Sequence, residues 1–89
     1  MDYGKEIMAA RPPRKLYRVG ELVRHSSFSR QTIHNYTTMG LIQEAEWTQG
    51  GHRLYDESVF DVLARIDELQ GQGKSLQQIK QILESESPS

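Results

Sequence analysis

The 89 residues include no cysteine, are 36% hydrophobic and carry a formal net charge of −1, which bounds the chain to one small domain with a modest core. Disulfides, thiolate metal sites and cysteine nucleophiles are excluded. No apolar run has the length of a membrane span or of a signal-peptide core, so a cytoplasmic protein is expected. The charge is unevenly spread: residues 11–55 hold seven bases against three acids, and residues 56–89 hold seven acids against three bases. The first part is therefore the one suited to face an anion.

In chain order, residues 1–16 show no periodicity and end near "RPPRK", where two prolines stop a helix, so they read as a flexible arm. A single domain is expected over 17–84. Val19, Leu22 and Val23 recur at helical spacing and mark a short first helix. A second helix is predicted over 29–39. Ser29 is its N-cap, Phe28 and Ile33 have the spacing of a hydrophobic staple, and Gly40 stops it. Ile33 and Tyr36 mark its inner side. By itself this pair of helices fits a helix-turn-helix or a plain αα-hairpin equally.

Residues 45–48 and 52–55 then read as two strands around Gln49-Gly50-Gly51. A lone hairpin is marginal and must lean on the helices, with Trp47 expected to pack it there. Asp56 is placed to cap a third helix with Val59, Leu63, Ile66 and Leu69 inside, ended by Gly71 and Gly73. Ser75 and Gln78 form a capping box for a fourth helix carrying Leu76, Ile79, Ile82 and Leu83. Residues 85–89 are a polar tail. The expected fold is mostly α with a small β-hairpin: a winged helix-turn-helix of four helices and a two-stranded wing.

No phosphate loop, HExxH or GxSxG motif is present, and His25, His34 and His52 are scattered. No catalytic residue, metal or cofactor is therefore expected, and the chain does not read as an enzyme. Chemistry is concentrated on the second helix. Arg30, His34 and Thr38 follow at i, i+4 and i+8, with Gln31 and Asn35 in the next row. Arginine, glutamine and asparagine carry planar donor and acceptor groups that match base edges in the major groove. A solvated helix face is the plainer reading, but the lysines and glutamates usual on such a face are missing. Tyr36 is either a core aromatic or one whose hydroxyl reaches outward, and Arg53 lies on the return strand of the hairpin.

The segments "YRVGELVRHSSFSRQTIHNYTTMGLI" (17–42), "GGHRLYDE" (50–57) and "GKSLQQIKQIL" (73–83) resemble, in order and approximate spacing, the N-terminal winged domain of MerR-family transcriptional regulators. The resemblance implies sequence-specific binding of double-stranded DNA, with helix 29–39 in the major groove and wing contacts to phosphates. Carried over by position, it implies DNA contacts from Arg18, Arg30, Gln31, His34, Asn35, Tyr36, Arg53 and Lys74. RNA polymerase or further copies of the chain on DNA are the implied partners, and no membrane is involved. His34 stands where the family usually has arginine, Asn35 where it often has tyrosine, and Trp47 where many members have a basic residue. Family members continue beyond the position of Leu83 into a dimer-forming coiled coil, so an isolated DNA-binding domain or a short member is expected. The alternatives are an excisionase-like architectural factor and a protein-interaction module that reuses the winged fold.

Overall fold

The computed structural model describes residues 15–86. In order they form strand β1 (Leu16–Arg18), helices α1 (Val19–Arg24) and α2 (Arg30–Met39), strands β2 (Glu46–Trp47) and β3 (Arg53–Asp56), and helices α3 (Ser58–Gly71) and α4 (Leu76–Glu86). Most of the arm expected over 1–16 lies outside the described residues, as do positions 87–89.

The helix boundaries follow from local chemistry. The Ser29 hydroxyl oxygen accepts the Thr32 N–H at 3.2 Å, which caps α2 as expected. Phe28, just before the cap, stacks edge-on against Tyr36 with ring centroids 5.4 Å apart. At the other end Gly40 adopts φ 82°, a left-handed conformation that side chains with a Cβ resist. That geometry lets the Leu41 N–H reach the Tyr36 carbonyl at 2.8 Å and the Gly40 N–H reach that of Thr37 at 3.1 Å, a Schellman closure. Leu41 and Ile42 are thereby turned into the core. Asp56 accepts the Ser58 N–H at 2.9 Å at the head of α3. Ser75 and Gln78 bond reciprocally at 2.9 and 3.1 Å to start α4.

The sheet keeps the expected two-stranded hairpin and adds β1 to it. It has three antiparallel strands in the order β1-β3-β2, with Leu16 opposite Asp56, Tyr17 opposite Tyr55 and Arg18 opposite Leu54. Leu16, assigned to the arm, thus belongs to the sheet. Three residues running straight into a helix show no strand period, and their partner lies some forty positions away. The hairpin itself keeps its expected register, Trp47 opposite Arg53. Its turn uses Gly51 at φ 85°.

Opposed residues share a sheet face, so Tyr17, Tyr55, Arg53 and Trp47 lie on one side. Tyr17 meets Phe60 of α3 edge-on at 4.9 Å. The helices do not extend over Trp47, which is 53% exposed instead of packing the hairpin down. The core comprises Leu22, Ile33, Tyr36, Leu41, Ile42, Tyr55, Val59, Leu63, Ile66, Leu69 and Ile79, and no polar or charged residue is buried among the described residues. In α4 only Ile79 is fully buried. Its far end is held by charge: Arg65 donates through Nε and Nη2 to the two Glu86 oxygens, and through Nη1 to Glu68 at 2.9 Å. Helix α4 therefore continues through Ser85 and Glu86, which the sequence reading placed in the tail.

A half-buried polar contact ties the sheet to α2. The Tyr55 and Thr37 hydroxyl oxygens are 2.7 Å apart, and the Thr37 hydroxyl also donates to the Ile33 carbonyl at 2.9 Å. Thr37 has one hydroxyl proton, so the Tyr55 phenol must be the donor between them. Thr37→Val strands that phenol in the core, whereas Tyr55→Phe leaves Thr37 its bond to Ile33. Urea unfolding should accordingly show Thr37→Val losing about 1–3 kcal/mol and Tyr55→Phe about 1 kcal/mol, and the reverse order would contradict this assignment of donors.

The Arg65 bonds hold the Glu86 carboxyl below its ordinary value of 4.5. A depressed carboxylate stabilises the fold above its unfolded pKa and loses that contribution as pH falls through the folded one. The stability difference between the native protein and Glu86→Gln should therefore be present at pH 7 and vanish well below pH 4.5 in urea midpoints measured across pH. A difference that persists in acid would assign it to packing.

Candidate nucleic-acid interface

Ile33 and Tyr36 turn one side of α2 into the core, which leaves Arg30, Gln31, His34, Asn35 and Thr38 exposed on the other. They form a contiguous surface because residues three and four apart on a helix are neighbours. The Gln31 amide Nε2 donates to Asn35 Oδ1 at 3.0 Å. This bond fixes both amides, with the Gln31 oxygen as an acceptor and the Asn35 nitrogen as a donor still to be matched. Thr38 commits its hydroxyl proton to the His34 carbonyl at 3.0 Å, so outward it offers only lone pairs.

Arg30 occupies the first position of α2, and the first turn holds no acidic residue. Cations at a helix N-terminus oppose the macrodipole by about 0.3–1 kcal/mol, so stability alone does not explain this arginine. Its guanidinium lies beside the backbone of Gly20 in α1: a Cβ built there would be 3.6 Å from Nη2. At the opposite end of α2, Lys80 of α4 brings Nζ within 3.7 Å of a Cβ built on Gly40, a cation at the terminus that favours one.

The remaining residues singled out by sequence come from other elements. Arg18 is exposed at the head of α1, where its N–H donates to Glu21 at 3.0 Å. That bond, aided by Lys15, holds the Glu21 carboxyl below its ordinary value. Lys74 is exposed in the turn between α3 and α4. Tyr36 is the buried alternative of the two considered: it is 4% exposed, and its hydroxyl donates across to Gln70 Oε1 of α3 at 3.4 Å. Desolvation raises its phenol pKa.

Arg53 is already engaged. Its Nε donates to Glu44 Oε2 at 3.0 Å, and its guanidinium lies 4.7 Å from the Trp47 ring centroid. Glu44, Trp47 and Arg53 thus form a three-residue unit that was not expected. The turn glycines did contain the signal, because a loop at 49–51 makes Trp47 and Arg53 cross-strand neighbours.

A concavity lies elsewhere, between the 40–45 loop, the head of α3 and α4. Its lining has five carboxylates against Arg65 and Lys80, and none of the exposed α2 row. A polyanion is repelled there. Among the described residues no group of three His, Asp or Glu side chains is arranged to hold a metal, and no helix is long and apolar enough to cross a membrane.

Residues 17–86 match the family described as MerR HTH family regulatory protein. The chain is 36% identical over 75 residues to the nodulation protein NolA of Bradyrhizobium sp. (strain NC92), covering 84% of this chain and 32% of that protein. It is 36% identical over 67 residues to the mercuric resistance operon regulatory protein of Bacillus cereus, covering 75% and 51%. To the HTH-type transcriptional regulator CueR of Bacillus subtilis it is 33% identical over 86 residues, covering 97% and 57%. The chain thus spans from a third to just over half the length of these relatives. A solved MerR-family regulator from Bacillus cereus shares the fold with a TM-score of 0.75 at 24% identity, covering 84% of this chain and 56% of that one.

Gly20 does not require glycine for space or for a left-handed backbone, since 3.6 Å is ordinary contact with the end of a flexible side chain. Gly20→Ala should stabilise the protein by up to about 1 kcal/mol through helix propensity. A fall in melting temperature would instead show that the Arg30 guanidinium needs that space.

Proposed function

The chain belongs to the MerR HTH family of regulatory proteins, and from that premise we infer that it binds double-stranded DNA sequence-specifically as a transcriptional regulator in the cytoplasm. Helix α2 enters the major groove, and the strand hairpin lies along the flanking backbone. The observation that carries this reading is the exposed face of α2. It unites Arg30, Gln31, His34 and Asn35 on a helix whose caps and buried side come from other residues. RNA polymerase or neighbouring copies on DNA are the further partners that this role calls for.

Contacts divide by chemistry. The Gln31–Asn35 couple presents an acceptor beside a donor, the pattern that an adenine edge complements through N6 and N7. Arg30 and His34 complete the groove-facing row. Arg18, Lys74 and the outer edge of Arg53 serve phosphates, which hold the protein in register without reading sequence. Tyr36 supports the helix from beneath and, with its hydroxyl on Gln70, contributes to DNA through position.

Selection of bound duplexes from a random pool tests the reading directly, and failure to enrich any motif would refute sequence-specific regulation. With a selected duplex in hand, Gln31→Ala and Asn35→Ala should each lose about 1–3 kcal/mol of discrimination against a scrambled duplex. The double substitution should lose less than the sum, because the two amides act as one hydrogen-bonded unit. Arg53→Ala should weaken both duplexes alike and lower the salt dependence by less than one full phosphate contact, because Glu44 already matches part of its charge. Anisotropy titrations at several salt concentrations separate these patterns. Equal losses on selected and scrambled DNA for Gln31→Ala and Asn35→Ala would remove their base-reading role.

A further inference from the structure

Trp47 is 53% exposed on the edge strand β2, although exposing an indole forgoes the burial that usually places tryptophan. The Arg53 guanidinium lies over its ring, 4.7 Å from the centroid. Trp47 shares a sheet face with Arg53 and Tyr55, and Tyr55 is bonded to Thr37 of α2. The stack is therefore the continuation, past the edge of the core, of the surface on which α2 is mounted. Glu46, the preceding residue of β2, alternates to the opposite face.

The electrostatics limit what this patch can bind. The Glu44 carboxylate is 3.0 Å from Arg53 Nε, so a phosphate approaching Arg53 meets a cation that is largely matched already. What the wing offers in addition is a flat apolar surface with one N–H donor at its rim. In an intact duplex the base faces are stacked on one another, and the flat apolar surface left within reach of the backbone is deoxyribose.

Resting on the reading of the chain as a duplex-DNA binder, we propose that Trp47 is a non-ionic contact of the wing. Its indole packs on a deoxyribose of the strand bordering the groove occupied by α2, and its N–H donates to the adjoining phosphate oxygen. Glu44 and the face of the Arg53 guanidinium hold the indole plane, which leaves the outer edge of Arg53 for phosphate. The patch continues the sheet face that carries α2, and the Glu44–Arg53 pair nearly balances its charge. Affinity gained there therefore persists at salt concentrations that weaken the ionic contacts.

Trp47 is the sole tryptophan of the chain, so its fluorescence reports this contact without labelling. Adding the selected duplex should shift or quench the emission in step with binding followed by anisotropy. Trp47→Ala should lose roughly fivefold in affinity, the scale of burying part of one aromatic side chain, with the salt dependence unchanged. Trp47→Phe should keep most of the affinity, and circular dichroism should show both variants folded. Unchanged emission and undiminished affinity of Trp47→Ala on a duplex that the native protein binds would overturn the proposal and leave the patch to a protein partner. A native protein that binds no duplex would instead overturn the reading on which the proposal rests.

Discussion

The hydroxyl pair Tyr55–Thr37 is the contact on which the geometry of the candidate surface depends. Tyr55 is 1% exposed and central in the sheet, with Tyr17 opposite it on β1. Thr37 lies on α2 one turn after Ile33, whose carbonyl receives the Thr37 proton. The chain of donors runs from strand to helix to helix backbone, so it fixes how far α2 is rotated about its own axis. That rotation decides which side chains face out. An apolar pair of the same size would hold the distance, but it would tolerate a turned helix far better than two hydroxyls that each need a partner.

Helix α2 also departs from what local stability would choose. It begins with an arginine, lacks an early acidic residue and exposes two amides and an imidazole. Its support comes from outside: Ser29 and Gly40 at the ends, Phe28 on Tyr36, and Lys80 of α4 beside Gly40. Such a division, in which neighbours stabilise a helix whose own surface serves another purpose, is where local rules are expected to fail at a functional element.

Much of this was legible in the sequence because it is short-range. The Ser29 cap, the Gly40 stop, the Ser75–Gln78 box and the helix stripes all depend on residues within four positions of each other. Strand β1 was not legible, since Leu16–Arg18 is too short to show a period and gains its identity from Arg53–Asp56. Trp47 was misplaced for a related reason: aromatic character suggests burial, but whether a helix extends far enough to cover it is a tertiary fact. The end of α4 was cut short because "ESES" reads as solvent-exposed, and only Arg65, twenty-one positions back, converts Glu86 into an anchor. In the candidate site, the α2 face follows from periodicity. The engagement of Arg53 by Glu44 needed the register of the hairpin.

The place of β3 between β1 and β2 has a consequence for how the chain comes into being. Leu16 has no strand partner until Asp56 has been made, and α2 has no platform until Tyr55 exists. During synthesis, then, the helices α1 and α2 leave the ribosome with each other to pack on but without the sheet that orients the pair. Closing that long loop carries an entropic cost that local helix formation does not. The segment that looks most self-contained in the sequence is thus completed by residues made well after it.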